Sequence, residues 1–149
     1  MEALSYPVLV AIHLFAALMF AGTVFFEVLI LHPAHKEVPP DAMRAVERAI
    51  GLRAQRIMPF VLVALFGAGI GLAYYHRAAL AQPAGSPFAL LLWTKIALAA
   101  SVFGHFLTSQ YWRLRGRFTA RRSRLLHLSV FCHVVLIVLI AKSMFHVRF

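Results

Sequence analysis

Four long apolar stretches constrain this chain more than any other feature. They lie at about 5–31, 57–76, 88–111 and 125–146, each near the ~20 residues that carry a helix across a bilayer. Amide groups in lipid must be satisfied within the segment, so such runs are helices. They dominate a chain of 149 residues that is 62% hydrophobic and 13% charged. The remaining segments are too short to hold a core of their own. The expected fold is all-α: a single transmembrane domain over 1–149, with four helices in an antiparallel up-down bundle joined by short connections. The first stretch lacks a basic leader and a cleavage site ahead of a soluble domain, and is expected to be a retained helix.

The formal net charge of +10 sorts by loop. Lys36, Arg44, Arg48, Arg53 and Arg56 lie in 32–56, and Arg113, Arg115, Arg117, Arg121, Arg122 and Arg124 lie in 113–124. Far fewer basic residues flank the other ends: Arg77, Lys142 and Arg148. The positive-inside rule predicts both basic loops in the cytoplasm and both termini outside. The expected partners of these arginines are anionic lipid headgroups, not nucleic acid. In the first loop, Pro39-Pro40-Asp41 reads as a helix start with Asp41 as N-cap. Met43, Val46 and Ile50 then recur at helical spacing, predicting a short amphipathic helix on the membrane surface. Gly67 with Gly71, Ala97 with Ser101, and Ala100 with Gly104 have the spacing that lets helices approach closely, within the bundle or in a homodimer.

Ionisable residues inside apolar spans mark candidate chemistry. Lys95 lies within Leu90-Leu-Leu-Trp-Thr-Lys-Ile-Ala-Leu-Ala-Ala100, where a cation costs about 2.5–3.5 kcal/mol on insertion scales. His13, Glu27, His105 and His133 are also within spans. In an up-down bundle His13 and Lys95 share an outer layer, roughly 10–12 Å below the outer end. His105 and His133 share a layer nearer the cytoplasm. Ser101, His105, Thr108 and Trp112 form a polar stripe on the third span, and Ser129 and His133 one on the fourth. Imidazoles on opposed helices at one depth are the arrangement that holds haem iron. His13, His105 and His133 are therefore candidate metal ligands, with Lys95 as ligand or as charge partner of a propionate. Glu27 is expected at the cytoplasmic interface, neutralised by a loop arginine. His32, His35, His127 and His146 sit at span ends, where solvation is the default. Trp93, Tyr111 and Trp112 fit an aromatic belt. The single cysteine, Cys132, excludes an internal disulfide and a Cys-rich metal site.

Several short motifs resemble those of the HemJ-type protoporphyrinogen oxidases and the wider CopD-like group of small four-helix membrane proteins. They are His13 with Phe20-Ala21-Gly22, Glu47-Arg48 through Gln55-Arg56-Ile57-Met58-Pro59, Trp93-Thr94-Lys95, and Gly104-His105. The resemblance implies a haem b protein of the bacterial inner membrane, with His13 and Lys95 as catalytic residues. It also implies oxidation of a porphyrin precursor and electron transfer to quinone. Met19 stands where that pattern has Trp, and the histidines of the fourth span are additional to it. Two other readings are a small cytochrome b that only relays electrons and a CopD-like copper-handling protein. The copper reading would use Met19, Met58, Met144, His76 and His146, because imidazole and thioether suit copper. A scaffold with purely structural polar contacts is the third class, and Lys95 speaks against it.

Overall fold

The computed structural model describes residues 2–144, with side chains from Ser5 onward. Among those residues every regular element is helical. Helix α1 spans Glu2–Phe26 and continues through a π-helical turn, Glu27–Leu31, and a final turn, His32–Ala34. Helix α2 spans Pro40–Tyr75, α3 Arg77–Ala81, α4 Pro87–Leu114 and α5 Ala120–Ser143. Four segments, Ser5–Ala34, Pro40–Tyr75, Pro87–Leu114 and Ala120–Ser143, are long and apolar enough to cross a membrane. This is the all-α, four-span layout expected of a multi-pass membrane protein.

The chain forms two compact units that divide between Tyr75 and His76. In the first, α1 packs antiparallel on α2. The ring of Tyr6 meets that of Tyr75 edge-on at 5.2 Å, and the Ser5 hydroxyl hydrogen-bonds the Tyr75 phenol. Ala16, Val24, Val61, Leu62 and Ala68 are buried between them. Outward-facing residues stay apolar, and Phe60 is 77% exposed and Val63 73%. Such a surface would drive association in water, whereas lipid solvates it.

The expected surface helix is not a separate element. It is the start of α2, whose 36 residues extend about 54 Å at ~1.5 Å per residue. That exceeds the ~30 Å hydrocarbon core, so the amphipathic start projects beyond an apolar span of the same helix. Met43 is buried there, Ile50 is half-buried and Val46 is exposed. The N-cap also shifts. Pro40 is the first helical residue, where its missing N–H is harmless. Asp41 lies in the first turn and hydrogen-bonds Arg44. At the facing end of α1, the His32 amide reaches back to the Glu27 carbonyl. This π turn holds one extra residue, which rotates the following side chains by about 100° and leaves Leu31 buried.

In the second unit α5 packs antiparallel on α4. Ser86 caps α4 by accepting the Ala89 amide at 3.1 Å, with Pro87 as first helical residue. The Trp93 indole donates to the Leu80 carbonyl at 3.1 Å, tying α3 to α4. Leu92, Val102, Val130 and Val134 form the buried seam. Helix α4 ends in a Schellman turn. Arg117 N–H bonds the Trp112 carbonyl at 2.8 Å and Gly116 N–H bonds the Arg113 carbonyl at 3.0 Å. This geometry requires a left-handed residue, and Gly116 supplies it with φ 62°. Thr119 then caps α5.

A β-carbon at Gly116 is expected to destabilise this turn. Gly116→Ala should cost about 1–3 kcal/mol in a reversible detergent unfolding assay, with Gly116→Asn losing less because Asn tolerates the left-handed region. Equal stability of Gly116→Ala and the parent would contradict the assigned turn.

Candidate functional site

Hydroxyls in these apolar helices mostly bond the carbonyl four residues earlier on their own helix. Thr23 bonds Met19 at 2.8 Å, Thr94 bonds Leu90 at 2.9 Å, Thr108 bonds Gly104 at 2.8 Å and Ser143 bonds Leu139 at 2.9 Å. Thr108, expected in an inward polar stripe, is thus satisfied locally. Ser101 and Ser129 behave differently, because their hydroxyls reach across to the other helix.

The result is a reciprocal clasp. Ser101 Oγ meets His133 Nε2 at 3.0 Å, and Ser129 Oγ meets His105 Nε2 at 2.9 Å. Each ring also bonds its own helix: His105 Nδ1 faces the Ser101 carbonyl at 2.7 Å, and His133 Nδ1 faces the Ser129 carbonyl at 2.8 Å. Both helices carry serine four residues before histidine, and antiparallel packing brings each serine opposite the other helix's ring. The two ring centroids are 5.2 Å apart with planes tilted by 59°.

A carbonyl only accepts, so the nitrogen facing it donates. In a neutral imidazole the other nitrogen then carries the lone pair. His105 and His133 are therefore fixed as Nδ1–H tautomers, with Nε2 accepting from a serine hydroxyl. His13, in the first unit, has the same anchor: its Nδ1 meets the Leu65 carbonyl at 2.9 Å. That carbonyl lies four residues before Gly69, where a β-carbon would stand 3.2 Å from His13 Cε1. The missing side chain lets the ring reach the backbone of α2. A second close approach is at Gly71, where a β-carbon would meet Leu9 Cδ1 at 3.0 Å. The contact glycines are thus 69 and 71; Gly67, expected to pair with Gly71, has nothing within 4 Å of a β-carbon. Ala97, Ala100 and Gly104 are exposed, and Ser101 alone of that small-residue set joins the helix contact.

Lys95 lies one heptad before the buried Val102, on the same stripe of α4. It is half-buried and makes no hydrogen bond or ion pair among the described residues. From His76 onward the sequence contains no aspartate or glutamate, so its own hairpin holds no acidic partner. Glu27 opens the π turn and is half-buried. The other histidines have local roles. His35 pairs with Glu47 at 2.7 Å, His76 stacks near Phe88 at 5.4 Å, and His127 Nδ1 meets Ser123 Oγ at 3.3 Å. His146 lies outside the described residues. Met19 lines an apolar groove of α1 and α2, and Met144 is buried at the end of α5.

Imidazole nitrogen is a donor that suits several transition metals, iron and copper among them. An imidazole held through Nδ1–H on a carbonyl presents an oriented Nε2, as metal-ligating histidines do when a carbonyl holds the other ring nitrogen. The expected sandwich of one haem between His105 and His133 does not fit, because the rings pack against each other and each Nε2 meets a serine. Among the described residues no three His, Cys, Asp or Glu side chains come together as a ligand set. No family model, curated protein or solved structure matches this chain.

Sequence spacing put serine and histidine on inward stripes, but the crosswise pairing was missed. The repeated serine-to-histidine step of four residues in two antiparallel spans was the available signal.

Ser101→Ala and Ser129→Ala are each expected to destabilise the second hairpin by about 0.6 kcal/mol, the average for hydrogen bonds between membrane helices, and by no more than about 1.7 kcal/mol. Nitrogen-15 NMR of labelled histidine should show Nδ1 protonated at positions 13, 105 and 133. Protonation on Nε2 instead would refute the anchoring. Gly69→Val should shift the His13 signals and leave those of His105 and His133 in place.

Proposed function

We propose that this protein is a haem b-binding redox protein of the bacterial inner membrane, with both termini outside. The observation that carries the reading is the shared anchoring of three intramembrane histidines. Each donates Nδ1–H to a backbone carbonyl and so holds a lone pair on Nε2. The short motifs around His13 and Lys95 support a more specific version, in which a porphyrinogen is oxidised and electrons leave to quinone.

His13, His105 and His133 are the residues that would hold iron, and a b-type haem supplies reversible one-electron chemistry when bound. At His105 or His133 the iron would take the place of a serine hydroxyl on Nε2, while the Nδ1 anchor keeps the ring oriented. Lys95 has no acidic partner in its hairpin, so its ammonium is suited to a porphyrin carboxylate or a haem propionate. The apolar setting strengthens that attraction. Small-residue faces allow a homodimer.

Detergent-purified protein is expected to show a b-type reduced-minus-oxidised spectrum, with about one haem per chain by pyridine extraction. His13→Ala, His105→Ala or His133→Ala should abolish or shift that spectrum for whichever residues ligate. Lys95→Met should keep the spectrum and lose porphyrinogen oxidation. A colourless protein after expression with haem precursor would overturn the reading.

A further inference from the structure

The two basic loops are not equivalent. The first contains Glu37, Asp41 and Glu47 among its cations, and two of these are paired, Asp41 with Arg44 and Glu47 with His35. The second holds six arginines between 113 and 124, in a half of the chain with no acidic residue. Guanidinium groups stay charged at any physiological pH, so this turn concentrates positive charge that no carboxylate of its own hairpin offsets.

Aromatic rings also brace the turn. The Arg113 guanidinium lies over the Phe118 ring at 4.0 Å, Arg115 over Tyr111 at 5.5 Å and Arg122 over Trp112 at 4.9 Å. Arg122 Nη1 donates to the Arg117 carbonyl at 2.8 Å. Stacking holds a guanidinium by its face and leaves N–H groups on its edge to bind. Arg117, Arg121 and the stacked Arg122 line an open surface pocket of about 610 Å³ together with Thr119 and Leu125, all five of them exposed.

We propose that this pocket is a specific site for the phosphoryl headgroup of an anionic phospholipid. Guanidinium edges match phosphate oxygens in pairs. The apolar side of the site argues for lipid over free phosphate. Leu125 lines the pocket, and Leu114, at the end of α4, is 87% exposed. Both sit where the apolar spans give way to the arginines, which is the depth of a headgroup above its acyl chains.

The test uses the full chain in phosphatidylcholine nanodiscs with a minor fraction of phosphatidylglycerol, reading retained lipid by native mass spectrometry. The parent should retain phosphatidylglycerol over phosphatidylcholine. The triple variant Arg117→Gln, Arg121→Gln, Arg122→Gln should lose that preference by about tenfold or more. The control Arg44→Gln, Arg48→Gln, Arg53→Gln removes the same charge from the first loop and should stay within about twofold of the parent. Should the pocket triple fail to fold, Arg→Lys at the same three positions keeps the charge and should still weaken retention several-fold through loss of paired N–H geometry. Equal losses in the two glutamine triples, or full retention in the lysine variant, would reduce the site to diffuse surface charge. Displacement of the lipid by millimolar inorganic phosphate would assign the pocket to free phosphate and overturn the lipid assignment.

Discussion

The interior of a bilayer offers no water to a polar side chain, so each such group must find its partner on a helix. Among the described residues the partner is most often a backbone carbonyl. A helical carbonyl already accepts one amide but keeps a second lone pair. Threonine and serine reach it on their own helix, and His105 and His133 do likewise through Nδ1. His13 takes a carbonyl from the neighbouring helix instead, as the Trp93 indole does from α3. Among the described residues no buried side-chain nitrogen or oxygen lacks a partner.

This rule has a chemical consequence. Spending Nδ1–H on a carbonyl fixes the tautomer and leaves Nε2 as the base. At His105 and His133 that base is met by a serine hydroxyl, a contact worth little more than about a kilocalorie per mole and so open to replacement by a stronger acceptor of the lone pair. The same bonds that hold the hairpin thus keep its imidazoles in a form that can bind metal. Gly69 serves the same end from the other side, since a β-carbon there would stand 3.2 Å from the His13 ring and crowd its approach to Leu65.

Charge is distributed with similar economy of partners. All five acidic residues lie at or before Glu47, and the first basic loop pairs some of its cations internally. The second hairpin has no aspartate or glutamate, so neither Lys95 nor the arginine turn has an acidic side chain of its own hairpin beside it. For Lys95 the setting is apolar helix; for the arginines it is the end of two spans, braced by aromatic rings.

The amino-acid sequence by itself determined the helical class, the number of spans and the uneven charge, because bilayer thickness and backbone satisfaction leave an apolar run of this length a single form. It also identified His13, Lys95, His105 and His133 as ionisable residues that need a reason to be where they are. It did not determine that the amphipathic segment joins the second span, since a helical period looks the same in a separate helix and a continuous one. Nor did it determine which glycines touch a neighbour, because small-residue spacing is shared by several faces. Only the tertiary structure decided that Gly69 opens a carbonyl to His13, and that Ser101 and Ser129 exchange bonds with the opposite histidines. Those choices depend on the rotation of each helix about its axis and on the register of the pair, and both are set by packing, not by spacing along one chain.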